Sequence, residues 1–482
     1  MEAHEKRRIV KNLKWMTISK IIVYILSIIT ITLIPRYLGV EGYGQLNFII
    51  SFVGLFSIIG DLGLYTLIIR DISKNPNKAS EYFNNLILFR ILVSIIFIFI
   101  VFIFALVLQS TPTTEQIVIY SVGFSFVLLS NFNIAFLNGF QEIKYQAISD
   151  TIQKITYTLG ALFVIILNYK LFGIIIANVI SGLFMLLFSC YAIKKFIKIK
   201  KLNFNKIYIK DKVILASPFI LTTIFWMIYF NIDRIFITFI KGNYATGLYS
   251  ISYTFIGFLL GILGILNTTF LPILSNVSNN KPKLKSIVDK YLLLIYLFCV
   301  PATIGGIYLA PQIISLVFGS QYLGGTLAFQ LIMFFFLLNS IGVVNYYLLI
   351  TNNLEKYSLK ILGLSAGINI LLNFIFVPWL GIIGAAITTI ISEMVIFFIS
   401  YKKIKSEIMF INYLHPIIKP LIASLLMLSG IIIFNLVYPE GILQNNFDVL
   451  IQILIGGLIY VAMLFITKTT NIKQIKDMLK NE

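Results

Sequence analysis

The sequence predicts an all-α integral membrane protein of about 14 transmembrane helices, in two six-helix lobes with a parallel pseudo-two-fold repeat plus a C-terminal helix pair. Three observations predict it. Of 482 residues, 59% are hydrophobic and 12% charged, against about 25% charged in an average soluble protein; no water-soluble core absorbs that excess. Apolar stretches of spanning length, about 20 residues, succeed one another with little between them. A stretch near the N-terminus also returns in the middle of the chain.

The first span, 15–34, follows "HEKRRIVKNLKW", which has the basic opening of a signal peptide. Its apolar part is of span length and runs into "IPRYLGVEGYG" without a small-x-small cleavage site, so an uncleaved helix is expected. Spans at 45–69, 85–108, 116–136, 151–167 and 171–192 complete the first six. The second six lie at 213–240, 247–274, 287–309, 326–350, 361–377 and 381–400, and the final pair at 417–437 and 447–466. The short neighbours 361–377 and 381–400 are read as a hairpin because Pro378 and Gly381 punctuate "VPWLG".

A net charge of +19 could suggest nucleic acid, but its placement reports topology instead. Of 38 Lys and Arg, 29 fall at ends that share one side in the fourteen-span arrangement, and only Arg36, Lys170 and Lys241 lie in loops on the other. By the positive-inside rule both termini are cytoplasmic. Cys190 and Cys299 sit in apolar spans, and His4 and His415 are far apart, so neither a disulfide framework nor a metal site is expected.

The segments "YLGVEGYGQLNFIISFVGLF" (37–56) and "IKGNYATGLYSISYTFIGFL" (240–259) align without gaps, with Gly39 over Gly242, Gly44 over Gly247 and Gly54 over Gly257. Each is the outer turn between the first two spans of a half, so the repeat axis runs along the membrane normal. The implied organisation is an N-terminal lobe at 1–192, a basic cytoplasmic linker at 193–212, a second lobe at 213–401, and a terminal pair with a basic tail at 402–482. The linker, "KKFIKIKKLNFNKIYIKDK", reads as a solvated segment facing lipid headgroups.

Lys20, Asp61, Arg90, Asp233, Arg234 and Glu393 sit well within spans. Facing lipid, each would cost about 2.5 to 3.5 kcal/mol on the lenient insertion scale, so they are expected to face protein or water. On the first span Thr17, Lys20, Tyr24, Ser27 and Thr30 recur at helical spacing, as do Asn47, Ser51, Gly54, Ser57, Asp61 and Tyr65 on the second. On the seventh, Thr223, Asn231, Arg234, Thr238 and Lys241 form a stripe, with Asp233 about 100° round the helix. Lys20, Asp61 and Arg90 share a depth of roughly 9 to 14 Å, a plus-minus-plus cluster that either docks three helices or receives an anion. The uncharged stripe Ser365, Asn369 and Asn373 reads as a helix contact.

No Walker A sequence, HExxH, paired Cys or His, or G-x-S-x-G is present, and the outer loops are short, so no enzyme is expected.

The stretches "IPRYLGVEGYGQLNFIISFVGLFSIIGDLG" (34–63) and "FNIDRIFI" with "KGNYATGLYSISY" (230–253) carry a resemblance. With this layout the chain resembles the oligosaccharide flippase family, the polysaccharide-biosynthesis branch of the superfamily that also contains MATE exporters and the lipid II flippase. The resemblance implies a flippase of the cytoplasmic membrane that moves lipid-linked oligosaccharide outward, its two lobes rocking in alternating access around a cationic cavity. Position then assigns Lys20, Arg90 and Arg234 to the headgroup or sugar phosphate, and Arg36 and Arg70 to opposite mouths. Asp61, Asp233 and Glu393 orient those cations or couple an H+ or Na+ gradient; no other cofactor is expected. Expected partners are lipid-linked oligosaccharide, membrane lipids and other polysaccharide-assembly membrane proteins, with no nucleic acid and a monomeric chain. The rival readings are a MATE-like drug or small-cation exporter, a membrane glycosyl transferase or polymerase, and a structural subunit of a larger complex.

Overall fold

The computed structural model describes residues 2–107, 111–198, 203–438 and 448–467. Part of the basic linker (199–202), the loop at 439–447 and the basic tail from 468 lie outside the described residues. Thirteen α-helices run in order: α1 (Glu2–Asp61), α2 (Leu64–Lys74), α3 (Ala79–Leu106), α4 (Thr111–Gly139), α5 (Lys144–Leu167), α6 (Lys170–Ile193), α7 (Lys206–Val277), α8 (Lys281–Tyr308), α9 (Ala310–Val317), α10 (Thr326–Thr351), α11 (Glu355–Glu407), α12 (Leu414–Val437) and α13 (Asp448–Ile466). No strand occurs among the described residues.

Eleven of these helices are long and apolar enough to cross a membrane. Three, α1, α7 and α11, are each broken at one glycine: Gly39 (φ 70°, ψ 176°), Gly242 (φ 81°, ψ 177°) and Gly381 (φ 56°, ψ −129°). A left-handed φ is open to glycine at no steric cost, and after each break the helix resumes, so each of the three holds two crossings. Among the described residues the protein is therefore a multi-pass, all-helical membrane protein with fourteen crossings. The near-identical dihedrals of Gly39 and Gly242, which the repeat superimposes, put the internal duplication into the backbone itself.

Several helices extend past the apolar spans, and two departures from the hydropathy reading bear on the site. The fifth span begins at Lys144, not 151, because the polar opening "KYQAISD" is helical although not apolar. Its end is as expected: Asn168 takes a left-handed conformation (φ 59°) and Tyr169 N–H returns to Val164 O at 3.2 Å, closing the turn into α6. The second span is also divided. Leu62 (φ 51°) and Gly63 (φ 65°) end α1 at Asp61, and α2 leaves in a new direction with Leu64, Leu67, Ile68 and Ile72 buried at helical spacing. Those side chains join Phe83, Phe132 and Phe136 in a core cluster.

The chain forms two compact units, residues 1–247 and 248–482. In the first, α4 meets α6 through small residues: a Cβ on Gly123 would lie 2.8 Å from Val179 Cα, and one on Gly182 2.7 Å from Gly123 O. Without a hydrophobic drive inside a bilayer, such close approach is what holds helices together. In the second, Ser365 donates to Ser392 O (2.9 Å) and Thr388 Oγ1 donates to Asn373 Oδ1 (3.3 Å), so the uncharged stripe of the eleventh span ties the two limbs of α11 together as a helix contact.

Candidate functional site

The first span packs against α5 through Ser19 and through Thr30 at the end of its polar stripe. Ser19 Oγ donates to Ala147 O at 2.7 Å, and the Lys154 ammonium donates to Thr30 Oγ1 at 2.9 Å. On the opposite side of the same span Ile18, Ile21, Ile25 and Ile28 are all more than half exposed, the pattern of a lipid-facing surface. Lys20 is half-buried and has no ion pair or hydrogen bond among the described residues. Lys154 is a cation that hydropathy set aside, because a span starting at 151 leaves it at an edge. With α5 starting at Lys144, it lies near mid-helix. The signal was in the sequence: Asp150, Lys154 and Thr158 recur at steps of four.

The stripes of the second and seventh spans meet. Arg234 is half-buried and donates from Nη1 to Ser51 Oγ at 3.3 Å. The Asn231 amide lies 3.8 Å from where a Cβ on Gly54 would sit, and Phe48 packs edge-on against Phe239 with centroids 5.7 Å apart. Asp233 is 2% exposed and, one residue away, occupies a different face of the helix. At the turns broken by Gly39 and Gly242 the approach is closest. A Cβ on Gly44 would lie 1.8 Å from Asn243 O, and one on Gly247 would lie 1.9 Å from Val40 O. Val40 and Asn243 are equivalent in the repeat, as are Gly44 and Gly247, so the contact is reciprocal.

The structure divides the expected Lys20, Asp61 and Arg90 cluster. Arg90 is 0% exposed. Its guanidinium donates to Gly60 O and, at 3.0 Å, to Leu128 O; it lies 4.0 Å from Asp61 and over the Phe132 ring at 5.6 Å. The break at Leu62 and Gly63 explains the geometry. A helix end leaves its last carbonyls without intrahelical donors, and Arg90 takes the one at Gly60. Lys20 forms no ion pair with Asp61 among the described residues. Arg36 is exposed, three residues before the break at Gly39.

Arg70 is exposed and pairs with Asp71 at 3.0 Å. The Tyr82 hydroxyl donates to Asp71, and Lys212 donates to the Tyr82 hydroxyl while lying 3.9 Å from Asp71 and 4.2 Å from the Tyr82 ring centroid. Burial raises the Asp71 carboxyl, but the hydrogen bonds from Tyr82 and Arg70 and the charges of Arg70 and Lys212 outweigh it and hold the group below its ordinary range. For Lys212, burial lowers the ammonium against the pull of Asp71, and burial prevails.

In the second unit, Glu393 is 2% exposed and accepts from the Asn339 amide at 3.3 Å. Gly342 makes room for it, since a Cβ there would lie 2.6 Å from Glu393 Oε1. A separate cavity of about 370 Å³ is lined by apolar side chains, among them Leu259, Phe298, Pro301, Met427, Ile431 and Tyr460.

A profile of the family described as "Polysaccharide biosynthesis protein" matches residues 9–278. The chain is 25% identical over 413 residues to a "Putative O-antigen transporter" of Shigella flexneri, covering 77% of this chain and 97% of the relative. It is 24% identical to an uncharacterized membrane protein of Methanocaldococcus jannaschii, covering 75% and 89% of the two chains. Among solved structures it is similar to the lipid II flippase MurJ in an inward closed conformation, with a TM-score of 0.77, 18% identity and 95% and 98% of the two chains covered. It is also similar to an inward-facing multidrug resistance MATE family transporter, with a TM-score of 0.65, 16% identity and 80% and 94% covered. At those identities the structural likeness speaks for the fold.

Proposed function

Because the chain belongs to the polysaccharide biosynthesis protein family, we propose that it is a flippase that moves lipid-linked oligosaccharide of the polyprenyl-diphosphate type across the cytoplasmic membrane by alternating access. Its termini lie on the cytoplasmic side, and its lobes are the halves at 1–192 and 213–401. One observation carries the reading: half-buried cations sit on polar helix faces inside apolar spans, Lys20 and Lys154 along the first and fifth, Arg234 between the second and seventh. A diphosphate joined to a sugar chain is a large polyanion that cannot cross hydrocarbon unaided. Guanidinium and ammonium groups replace its lost water, Arg in a fork and Lys as a point charge. The apolar cavity of about 370 Å³ offers the polyprenyl chain a surface of matching character. Arg90, enclosed by two carbonyls and Asp61, is assigned a positioning role in the fold and not a substrate contact. Arg36 and Arg70 remain assigned to the two mouths, and Asp233 to orienting the cations.

A drug or small-cation exporter would need acids free to meet its cargo. Here Asp61 lies against Arg90 and Glu393 accepts from Asn339, while Lys20 stays without a countercharge among the described residues. The charge balance favours an anionic cargo.

Translocation of labelled lipid-linked oligosaccharide in proteoliposomes tests the reading. A charge-assisted hydrogen bond contributes about 1.5 to 3 kcal/mol. Arg234→Ala is therefore expected to slow flipping at least about tenfold at unchanged insertion, with Arg234→Lys recovering part. Unchanged flipping at normal abundance removes Arg234 from the substrate path. Glu393 is assigned to ion coupling. Glu393→Gln keeps the Asn339 contact and the shape, so abundance should hold while the response of flipping to an imposed proton or sodium gradient disappears. A variant that still responds fully places coupling elsewhere.

A further inference from the structure

A second cavity, of about 600 Å³, opens between the N-terminal ends of α8 and α12, on the side of the spans that carries the basic loops. Lys285, Lys290, His415 and Lys419 converge on it, with Asp289 as the acid among them. All four basic side chains are exposed, and neither the three lysines nor Asp289 is held in an ion pair among the described residues. Two helices present their N-terminal, positive dipole ends to the same space. Three lysines against one aspartate leave an excess of positive charge, and like charges gathered together repel, so the arrangement is stabilised by an anion.

The cavity wall says which kind. Ile418 belongs to it, and Leu414 lies one turn away on the same helix; they are 50% and 74% exposed, as side chains facing hydrocarbon are. A soluble anion gains nothing from that wall, whereas a lipid phosphate places its head on the lysines and its acyl chains along α12. We propose that this cavity is a binding site for the headgroup of an anionic phospholipid of the surrounding bilayer, a phosphodiester held by Lys285, Lys290, Lys419 and His415. Basic pockets between transmembrane helices on the cytoplasmic face have the chemistry for such heads. The site is separate from the apolar cavity and from the cations assigned to cargo, so it stands whether or not the flippase reading does.

The test uses the full chain in uncharged detergent, with binding of short-chain phosphatidylglycerol, phosphatidylcholine and inorganic phosphate measured by native mass spectrometry and thermal shift. Phosphatidylglycerol is expected to bind and stabilise, and phosphatidylcholine and inorganic phosphate to bind at least tenfold more weakly. Lys285→Gln/Lys290→Gln/Lys419→Gln should weaken phosphatidylglycerol at least tenfold, while the same changes at Lys194, Lys195 and Lys198 leave it in place. Asp289→Asn should tighten it severalfold, a gain that misfolding cannot mimic. Equal affinity in the triple variant and the wild type, no gain in Asp289→Asn, or inorganic phosphate binding as tightly as the lipid overturns the proposal.

Discussion

Arg90→Met is expected to remove most of the protein from the membrane fraction and to lower the unfolding midpoint of what remains in detergent. Methionine fills much of the same volume, so the effect isolates charge and hydrogen bonding. Two carbonyls, Gly60 O and Leu128 O, lose their donor, and the Asp61 carboxylate, 4.0 Å away, loses its countercharge. Breaking a buried pair by removing one partner costs about 3 to 5 kcal/mol, a large share of a typical folding free energy of about 5 to 15 kcal/mol. Adding Asp61→Asn should recover part of the loss, because the stranded charge goes with it. Arg90→Lys should fall short of the wild type, since an ammonium lacks the planar fork that reaches two carbonyls at once. Fluorescence-detected size exclusion and a thermal ramp read all three. If Arg90→Met runs at wild-type abundance and melts with it, the guanidinium does not dock these helices.

The second large effect is expected at the turns broken by Gly39 and Gly242. Gly44→Ala puts a methyl where the gap to Asn243 O is 1.8 Å, and Gly247→Ala does the same against Val40 O at 1.9 Å. Neither obstacle is a flexible side chain; both are backbone carbonyls that cannot swing aside. Overpacking a well-filled site costs typically about 1 to 3 kcal/mol, and rigid backbone on both sides puts these two at the upper end or beyond. Each variant should insert, lose thermal stability, and flip at least tenfold more slowly, because the close contact of the two turns can no longer form. Gly257→Ala is the matched control, with nothing within 4 Å of its Cβ position. If Gly44→Ala flips and melts like that control, the contact is dispensable.

Much of this was legible in the sequence, for identifiable reasons. Span number follows from hydropathy, and the hairpins from Gly39, Gly242 and Gly381, because only glycine holds such dihedrals cheaply. The duplication was legible because equivalent turns need equivalent glycines. The environment of each charge was not. Arg90 and Lys20 look alike in a hydropathy window at similar depth, yet one is sealed by Gly60 O, Leu128 O and Asp61 while the other is half-buried without a partner among the described residues. What separates them is the break at Leu62 and Gly63, which frees a carbonyl that no periodicity count registers. Lys154 escaped because hydropathy places a helix end where apolar character ends, and α5 begins seven residues earlier. Glu393 lacked a visible partner because Asn339 is 54 residues away in the chain.

The meeting of Val40 with Gly247 and of Asn243 with Gly44 joins the same two positions twice, in opposite directions. That is the signature of an isologous interface, the kind two identical subunits make across a dyad. A gene that doubled a six-span ancestor would inherit such an interface ready-made, since the geometry is the same whether the partners are separate polypeptides or one. Fusion then frees each copy to diverge everywhere except where the two still touch.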